Sequence, residues 1–244
     1  MTRHIILILL SALPVLSQLP SGEAILKSID QNMSARSRTA VSRMVIHGRR
    51  NSRTIEAKTW TEGTDKSFTE YLSPAREKGT KMLKLEDQLW MYTPSTDRII
   101  QISGHMLRQS VMGSDLSYED MMEDPHMTDN YDAVVTGSDQ VDDRDCWVMD
   151  LSANRADVAY HFRKLWVDKE RMIPLREDLI AKSGKLLKTL NLMDVKQIDG
   201  RWYPMRMRFK DVLKEGQGTE VMVESVEFDV IIPAYMFTKA ALRR

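Results

Sequence analysis

Ser114 is the residue that most invites a catalytic reading, because it lies in MGSDL between a glycine and an aspartate. A hydrolase nucleophile of this kind needs a G-x-S-x-G elbow at the end of a strand, and MGSDL has neither the second glycine nor a leading strand. The histidines at positions 4, 47, 105, 126 and 161 show no H-x-H or H-E-x-x-H spacing that would bring two imidazoles onto one metal. His105 and His126 flank one segment, where they fit either a pH-sensitive contact or plain solvation. Asp139, Asp142, Asp143 and Asp145 are dense enough for calcium but lack the glycine and closing glutamate of an EF-hand loop, so they read as a solvated turn. Asp115, Glu119, Asp120, Glu123 and Asp124 form a second acidic cluster, suited to a solvated face or to a basic partner. Cys146 is the only cysteine, which excludes an intramolecular disulfide and a multi-thiolate metal site. Without a glycine-rich phosphate loop, the residues support neither enzyme, cofactor nor metal.

Apolar capacity is what remains. Of 17 methionines, seven fall between Met82 and Met127, centred on GHMLRQSVMGSDLSYEDMM at 104–122. Methionine fills irregular space and suits surfaces that accept guests of variable shape. The segment is expected to be a lid over an apolar hollow, the alternative being core packing under a loop. Trp60, Trp90, Tyr92, Trp147, Trp166 and Trp202 lie on or beside strand patterns. The expected cavity and lid residues are Trp90, Tyr92, Met106, Leu107, Val111, Met112, Leu116, Met121, Met205, Met207 and Phe209. Their role would be burial: an acyl chain gains about 0.8 kcal/mol per CH₂, or roughly 10 kcal/mol for a long chain before costs.

The elements that must position these residues are mostly strands. GEAILKSIDQNMSA places Ile25, Leu26, Ile29 and Met33 at helical spacing. From Arg38 the period becomes two, and strand patterns follow one another with short polar turns, which makes antiparallel neighbours. WYPMRMRFK alternates Tyr203, Met205, Met207 and Phe209 with Pro204, Arg206, Arg208 and Lys210, one face apolar and the other cationic. Only 104–122 interrupts the series. It predicts two short helices split at Gly113, the second opened by a capping box from Ser117 to Asp120. The expected fold is mainly β, a strongly curved antiparallel sheet of about ten or eleven strands forming an incomplete barrel, with an N-terminal helix and a helical lid. A short helical tail closes the chain.

The chain has 244 residues, 35 basic and 35 acidic, so no basic excess favours nucleic acid. Ile5 to Leu16 is apolar apart from Ser11 and Pro14, too short to span a bilayer and shaped like a secretory signal. The expected organisation is a signal peptide over 1–20, its boundary between 17 and 24, and a single domain over 21–244 without a membrane span.

WTEGTDKSFTEYLSPAREKGTKMLK, LWMYTPSTDRI, MGSDLSYEDM, LWVDKERMIPLRED, GKLLKTL and the ending IPAYMFTKAALRR together resemble the LolA-like outer-membrane lipoprotein-sorting proteins. MGSDLSYEDM is the most specific of these. The resemblance implies an exported, periplasmic carrier whose open barrel and helical lid hold a lipid or lipoprotein acyl chain. It points to a branch often associated with inner-membrane permeases of the resistance-nodulation-division (RND) type, and no functional arginine is carried over. The alternatives are an envelope-stress or regulatory sensor of the same fold, and a lipid hydrolase using Ser114.

Overall fold

The computed structural model describes residues 19–123 and 126–244. Most of the expected signal peptide, and Asp124 of the acidic cluster, lie outside the described residues.

Helix α1, Gly22–Met33, is capped by Ser21 and buries Ile25, Leu26 and Ile29. Its first residue must be glycine, since a Cβ there would lie 2.2 Å from the Ala133 carbonyl oxygen. The strands follow as β1 (Ser37–His47), β2 (Ser52–Glu62), β3 (Lys66–Ser73), β4 (Lys81–Leu85), β5 (Gln88–Thr93) and β6 (Arg98–Ile102). After the interruption come β7 (Tyr131–Val141), β8 (Arg144–Ala153), β9 (Phe162–Asp168), β10 (Pro174–Ile180), β11 (Leu186–Ile198), β12 (Arg201–Asp211) and β13 (Gly218–Phe228). Among the described residues thirteen strands form one sheet, against the ten or eleven expected. The turns are tight enough that no two neighbouring patterns merge, as where Asp199 and Gly200 both take positive φ between β11 and β12.

The spatial order is β6, β5, β4, β3, β2, β1, β13, β12, β11, β10, β9, β8, β7. Every strand lies beside its neighbour in sequence except β6 and β7, which form the two edges. The sheet is curved and unclosed, an incomplete barrel. Its midline is the long-range pairing of β1 with β13, from Arg38 opposite Phe228 to His47 opposite Gly218. Because β6 and β7 are consecutive in sequence yet lie at opposite edges, residues 103–130 have to cross from one edge to the other.

Residues directly opposite each other across strands share a face, so the register sorts the side chains. One face carries Met44, Ile55, Tyr71, Met82, Leu89 and Met91 on the first half of the sheet, and Tyr131, Val135, Met149, Leu151 and Leu165 on the second. We call it the inner face, because both helical elements pack on it. The second half is covered by α1, with Ile25, Leu26 and Ile29 among those residues. The crossing segment covers the first half. On the outer face the chain's end, two 3₁₀ turns at Ala234–Phe237 and Lys239–Arg243, buries Phe68, Leu83 and Trp90 under Ile232, Phe237 and Leu242.

Candidate functional site

The crossing strap is built from 3₁₀ turns at Gly104–Arg108 and Val111–Gly113, then a short helix α2, Tyr118–Met122. The predicted capping box is present, with Ser117 Oγ accepting from the Asp120 N–H and the Asp120 carboxylate accepting from the Ser117 N–H. Gly113 ends the 3₁₀ turns ahead of α2, as expected, and the break there reverses the chain. Met112 and Gly113 take φ of 50° and 74°, which folds the chain back on itself. The Val111 N–H then reaches the Leu116 carbonyl at 2.9 Å and the Tyr118 N–H reaches that of Gln109 at 3.1 Å. The strap is therefore a compact hairpin with a helical turn attached.

Its apolar side chains point at the sheet. Val111, 3 % exposed, packs with Ile55, Tyr71, Met82, Leu89, Ile102 and Tyr118, and around them sit Met44, Met91, Met106, Leu107, Met112, Met121 and Met122. The space beneath the strap is filled by these flexible side chains. Of the expected site residues, Met106, Leu107, Val111, Met112 and Met121 are brought together here, whereas Leu116 is half-buried outside this cluster. Met205, Met207 and Phe209 lie on the same inner face of β12, with Met207 and Phe209 opposite Leu192 and Leu190 on one side and Val221 and Thr219 on the other. All three are half-buried, and they floor the stretch between the strap and α1. Trp90 and Tyr92 are not part of this group. They alternate with Leu89 and Met91 along β5 and face outward, where Lys239 Nζ lies 4.0 Å above the Trp90 ring.

Polar contacts fasten the strap to the sheet at separate points. Arg53 of β2 donates to the Met112 carbonyl. Lys214 donates to Ser110 Oγ at 2.5 Å and to the Ser114 carbonyl. Asp115, 6 % exposed, accepts from Thr219 Oγ1 at 2.7 Å and from the Asp211 N–H at 2.9 Å, while its own N–H donates to Thr219 Oγ1. Asp120 pairs with Lys188 of β11 and accepts from the Tyr160 hydroxyl. Burial and the Asp120 carboxylate push that hydroxyl well above the usual phenol range. Glu123 pairs with Arg163 of β9, which also reaches Glu177 of β10 at 3.2 Å. Burial raises the Glu177 carboxyl above the ordinary range despite that guanidinium. Farther along, Asp30 of α1 accepts from the Met127 and Thr128 N–H groups and the Thr128 hydroxyl, tying the far end down.

Sequence reasoning missed these fasteners. Asp115, Asp120 and Glu123 read as members of an acidic run suited to a solvated face or to a basic partner, yet each is bound to the chain's own sheet. The capping-box serine was the only local signal of order.

Two clefts open to solvent near the strap and floor. One, about 430 Å³, runs beside the strap and is lined by Leu107 and Met122 together with Asp65, Glu86, Glu119 and Asp157. The other, about 560 Å³, lies where β12 and β13 part. Those strands pair only from Arg206 to Phe209. Met205 and Val223 line the gap. Ser114 is buried with its hydroxyl beside the Leu116 main chain, and no histidine bonds to it among the described residues.

A family model described as an uncharacterized protein matches residues 63–244. No curated protein matches the sequence. Among solved structures, the chain is similar to a DUF1329 family protein from Desulfovibrio piger, with TM-score 0.83, 27 % identity and coverage of 91 % of this chain and 97 % of that one. A domain described as an outer-membrane lipoprotein-sorting protein from Vibrio parahaemolyticus gives TM-score 0.80 at 23 % identity over 91 % and 98 %. A LolA superfamily protein from Nitrosomonas europaea gives 0.76 at 23 % over 91 % and 100 %. The curved, unclosed sheet is thus the fold of these proteins.

Proposed function

The chain belongs to the family of uncharacterized proteins whose model spans residues 63–244, and from that membership and its LolA-like fold we propose that it is a carrier of lipid or lipoprotein acyl chains. The observation that carries this reading is the strap itself, a methionine-rich cover laid over an apolar inner face and fastened by discrete polar contacts. Methionine side chains leave a packed position at little conformational cost, because they are unbranched and adapt to many shapes. An acyl chain entering along Met205, Met207 and Phe209 would replace them as the strap lifts, so apolar surface stays covered in both arrangements. Such near-balance suits a carrier, which has to release its guest as well as bind it. A single permanent core would gain more from Leu or Ile.

Export to the periplasm is part of the proposal, supported by the apolar run from Ile5 to Leu16. Among the described residues no helix is long and apolar enough to cross a membrane. Delivery would be to a membrane-bound partner, and the RND-type permease rests on the sequence resemblance alone. The role assigned to the site residues is burial, without catalysis.

Gentle purification from native envelopes, with mass spectrometry of extracted lipids, tests the reading. Bound lipid at near-stoichiometric amount supports a carrier, and a stable protein partner without lipid supports the sensor instead. Leu107→Glu and Met112→Glu are expected to lower binding of a fluorescent fatty acid at least tenfold while the thermal transition stays within a few degrees, since a charge at the cover meets the acyl chain. Unchanged binding would remove the strap from the site.

A further inference from the structure

Three hairpin turns stand side by side at one rim of the sheet. The registers that place Gly218 opposite His47 and Lys188 opposite Asp211 put the turns after β1, β10 and β12 at the same end of their strands. Residues 48–51, 181–185 and 210–217 hold six basic side chains, Arg49, Arg50, Lys182, Lys185, Lys210 and Lys214, against only two acidic ones, Asp211 and Glu215. The chain as a whole balances 35 with 35, so this rim is a local excess of positive charge. In the middle of it Val212 and Leu213 are 40 % and 63 % exposed.

This turn is ordered. The Leu213 N–H donates to Asp211 Oδ1 at 3.0 Å, and the Val212 N–H donates to the Leu187 carbonyl at 3.0 Å. Lys210 Nζ donates to the carbonyls of Asp211 and Lys214 at 2.7 and 2.5 Å. A turn so fully bonded, holding two aliphatic side chains outward, gains nothing from them in water. An apolar tip ringed by cations is the complement of a bilayer with anionic headgroups, where cations meet phosphates and the tip enters the acyl boundary. Arg49 pairs with Glu215 at 3.4 Å in full solvent, an interaction readily exchanged for a phosphate. The rim also touches the strap, because Lys214 reaches from this turn to Ser110 and Ser114.

We propose that this rim docks on an anionic phospholipid surface, with Val212 and Leu213 inserted and the strap held against the bilayer. The inference rests on the carrier reading and adds to it the face through which lipid would be exchanged. A protein partner with an acidic surface would use the cations but would have no need of vesicles.

The test is flotation of the full chain with vesicles of phosphatidylglycerol and phosphatidylethanolamine, set against vesicles of phosphatidylcholine alone. The wild type is expected to float with the anionic vesicles only, and to be released by high salt. Each basic residue near such a surface contributes roughly fivefold in affinity, so Arg49→Gln with Arg50→Gln is expected to weaken binding by about 25-fold. Val212→Ser with Leu213→Ser is expected to abolish flotation while leaving the thermal transition unchanged. No flotation of the wild type, equal flotation with neutral vesicles, or undiminished binding by both double variants would overturn the proposal. Uptake of a fluorescent fatty acid in the absence of vesicles, measured on the same proteins, separates the two readings. Tip-dependent flotation without fatty-acid uptake would keep the docking rim and remove the carrier, and uptake without flotation would do the reverse.

Discussion

Replacing Asp115 by alanine is expected to loosen the strap without altering one apolar side chain under it. The Asp115 carboxylate accepts from Thr219 Oγ1 at 2.7 Å and from the Asp211 N–H at 2.9 Å, at a position only 6 % exposed. A hydrogen bond to a charged group is worth about 1.5–3 kcal/mol. Loss of both, partly offset by water entering the space, leaves about 3 kcal/mol. At about 1.4 kcal/mol per factor of ten, the strap's opening equilibrium shifts by roughly 150-fold. Asparagine should cost less, since it keeps the acceptor toward Asp211 and can donate to Thr219. Hydrogen exchange read by mass spectrometry is the assay, because local opening sets the exchange rate of the amides it exposes. Peptides covering 104–123 should exchange about two orders of magnitude faster in the alanine variant, while β1 and β13 keep their protection. Strap exchange within twofold of the wild type would refute the reasoning. An equal rise across the whole sheet would show instead that Asp115 supports the fold.

Removing Lys188 should be more damaging than removing a surface lysine, because Lys188→Met strands the Asp120 carboxylate next to the sheet. Breaking a buried pair from one side costs about 3–5 kcal/mol, to be read as a lowered midpoint in urea. Acid should destabilise the protein through Asp168. Burial pushes that carboxyl up, but the Arg144 guanidinium at 2.8 Å and the N–H groups of Arg171 and Glu170 outweigh it and hold the carboxyl below the usual range. A depressed carboxylate contributes stability above its unfolded value near 4, lost as pH falls through the folded one. The gap in stability between wild type and Asp168→Asn should therefore narrow below about pH 4, and a gap independent of pH would contradict the assignment. Trp90→Phe should leave fatty-acid binding unchanged, since Trp90 is packed under the C-terminal tail; a loss of affinity would place that residue in the path of the ligand.

How far the fold and site could be read from sequence depended on whether a residue's partner was local. Ile25, Leu26 and Ile29 sit at helical spacing and are buried as read. Tyr203, Met205, Met207 and Phe209 alternate with charges, so their shared face was legible, and the register places it inward. QLWMYT was different. Leu89 and Met91 are apolar on one face of β5 and Trp90 and Tyr92 on the other, so alternation fixes parity without saying which side meets the strap. The clue was the apolar tail IPAYMFTKAALRR, which needs a surface of its own and takes the outer one. The fasteners were hidden for another reason. Asp115, Asp120 and Glu123 meet Thr219, Lys188 and Arg163 at sequence separations of 104, 68 and 40, contacts that exist only once the sheet's register brings them round.

In the proposed carrier an acyl chain takes the place now filled by the strap's methionines, against the inner face of the sheet. Photocrosslinking with a diazirine-bearing fatty acid, followed by peptide mapping, addresses it most directly. Adducts are expected on residues 104–122 and on Met205, Met207 and Phe209, suppressed by excess unlabelled fatty acid. Adducts confined to the outer face around Trp90 and the C-terminal tail, or none that unlabelled fatty acid suppresses, would contradict it.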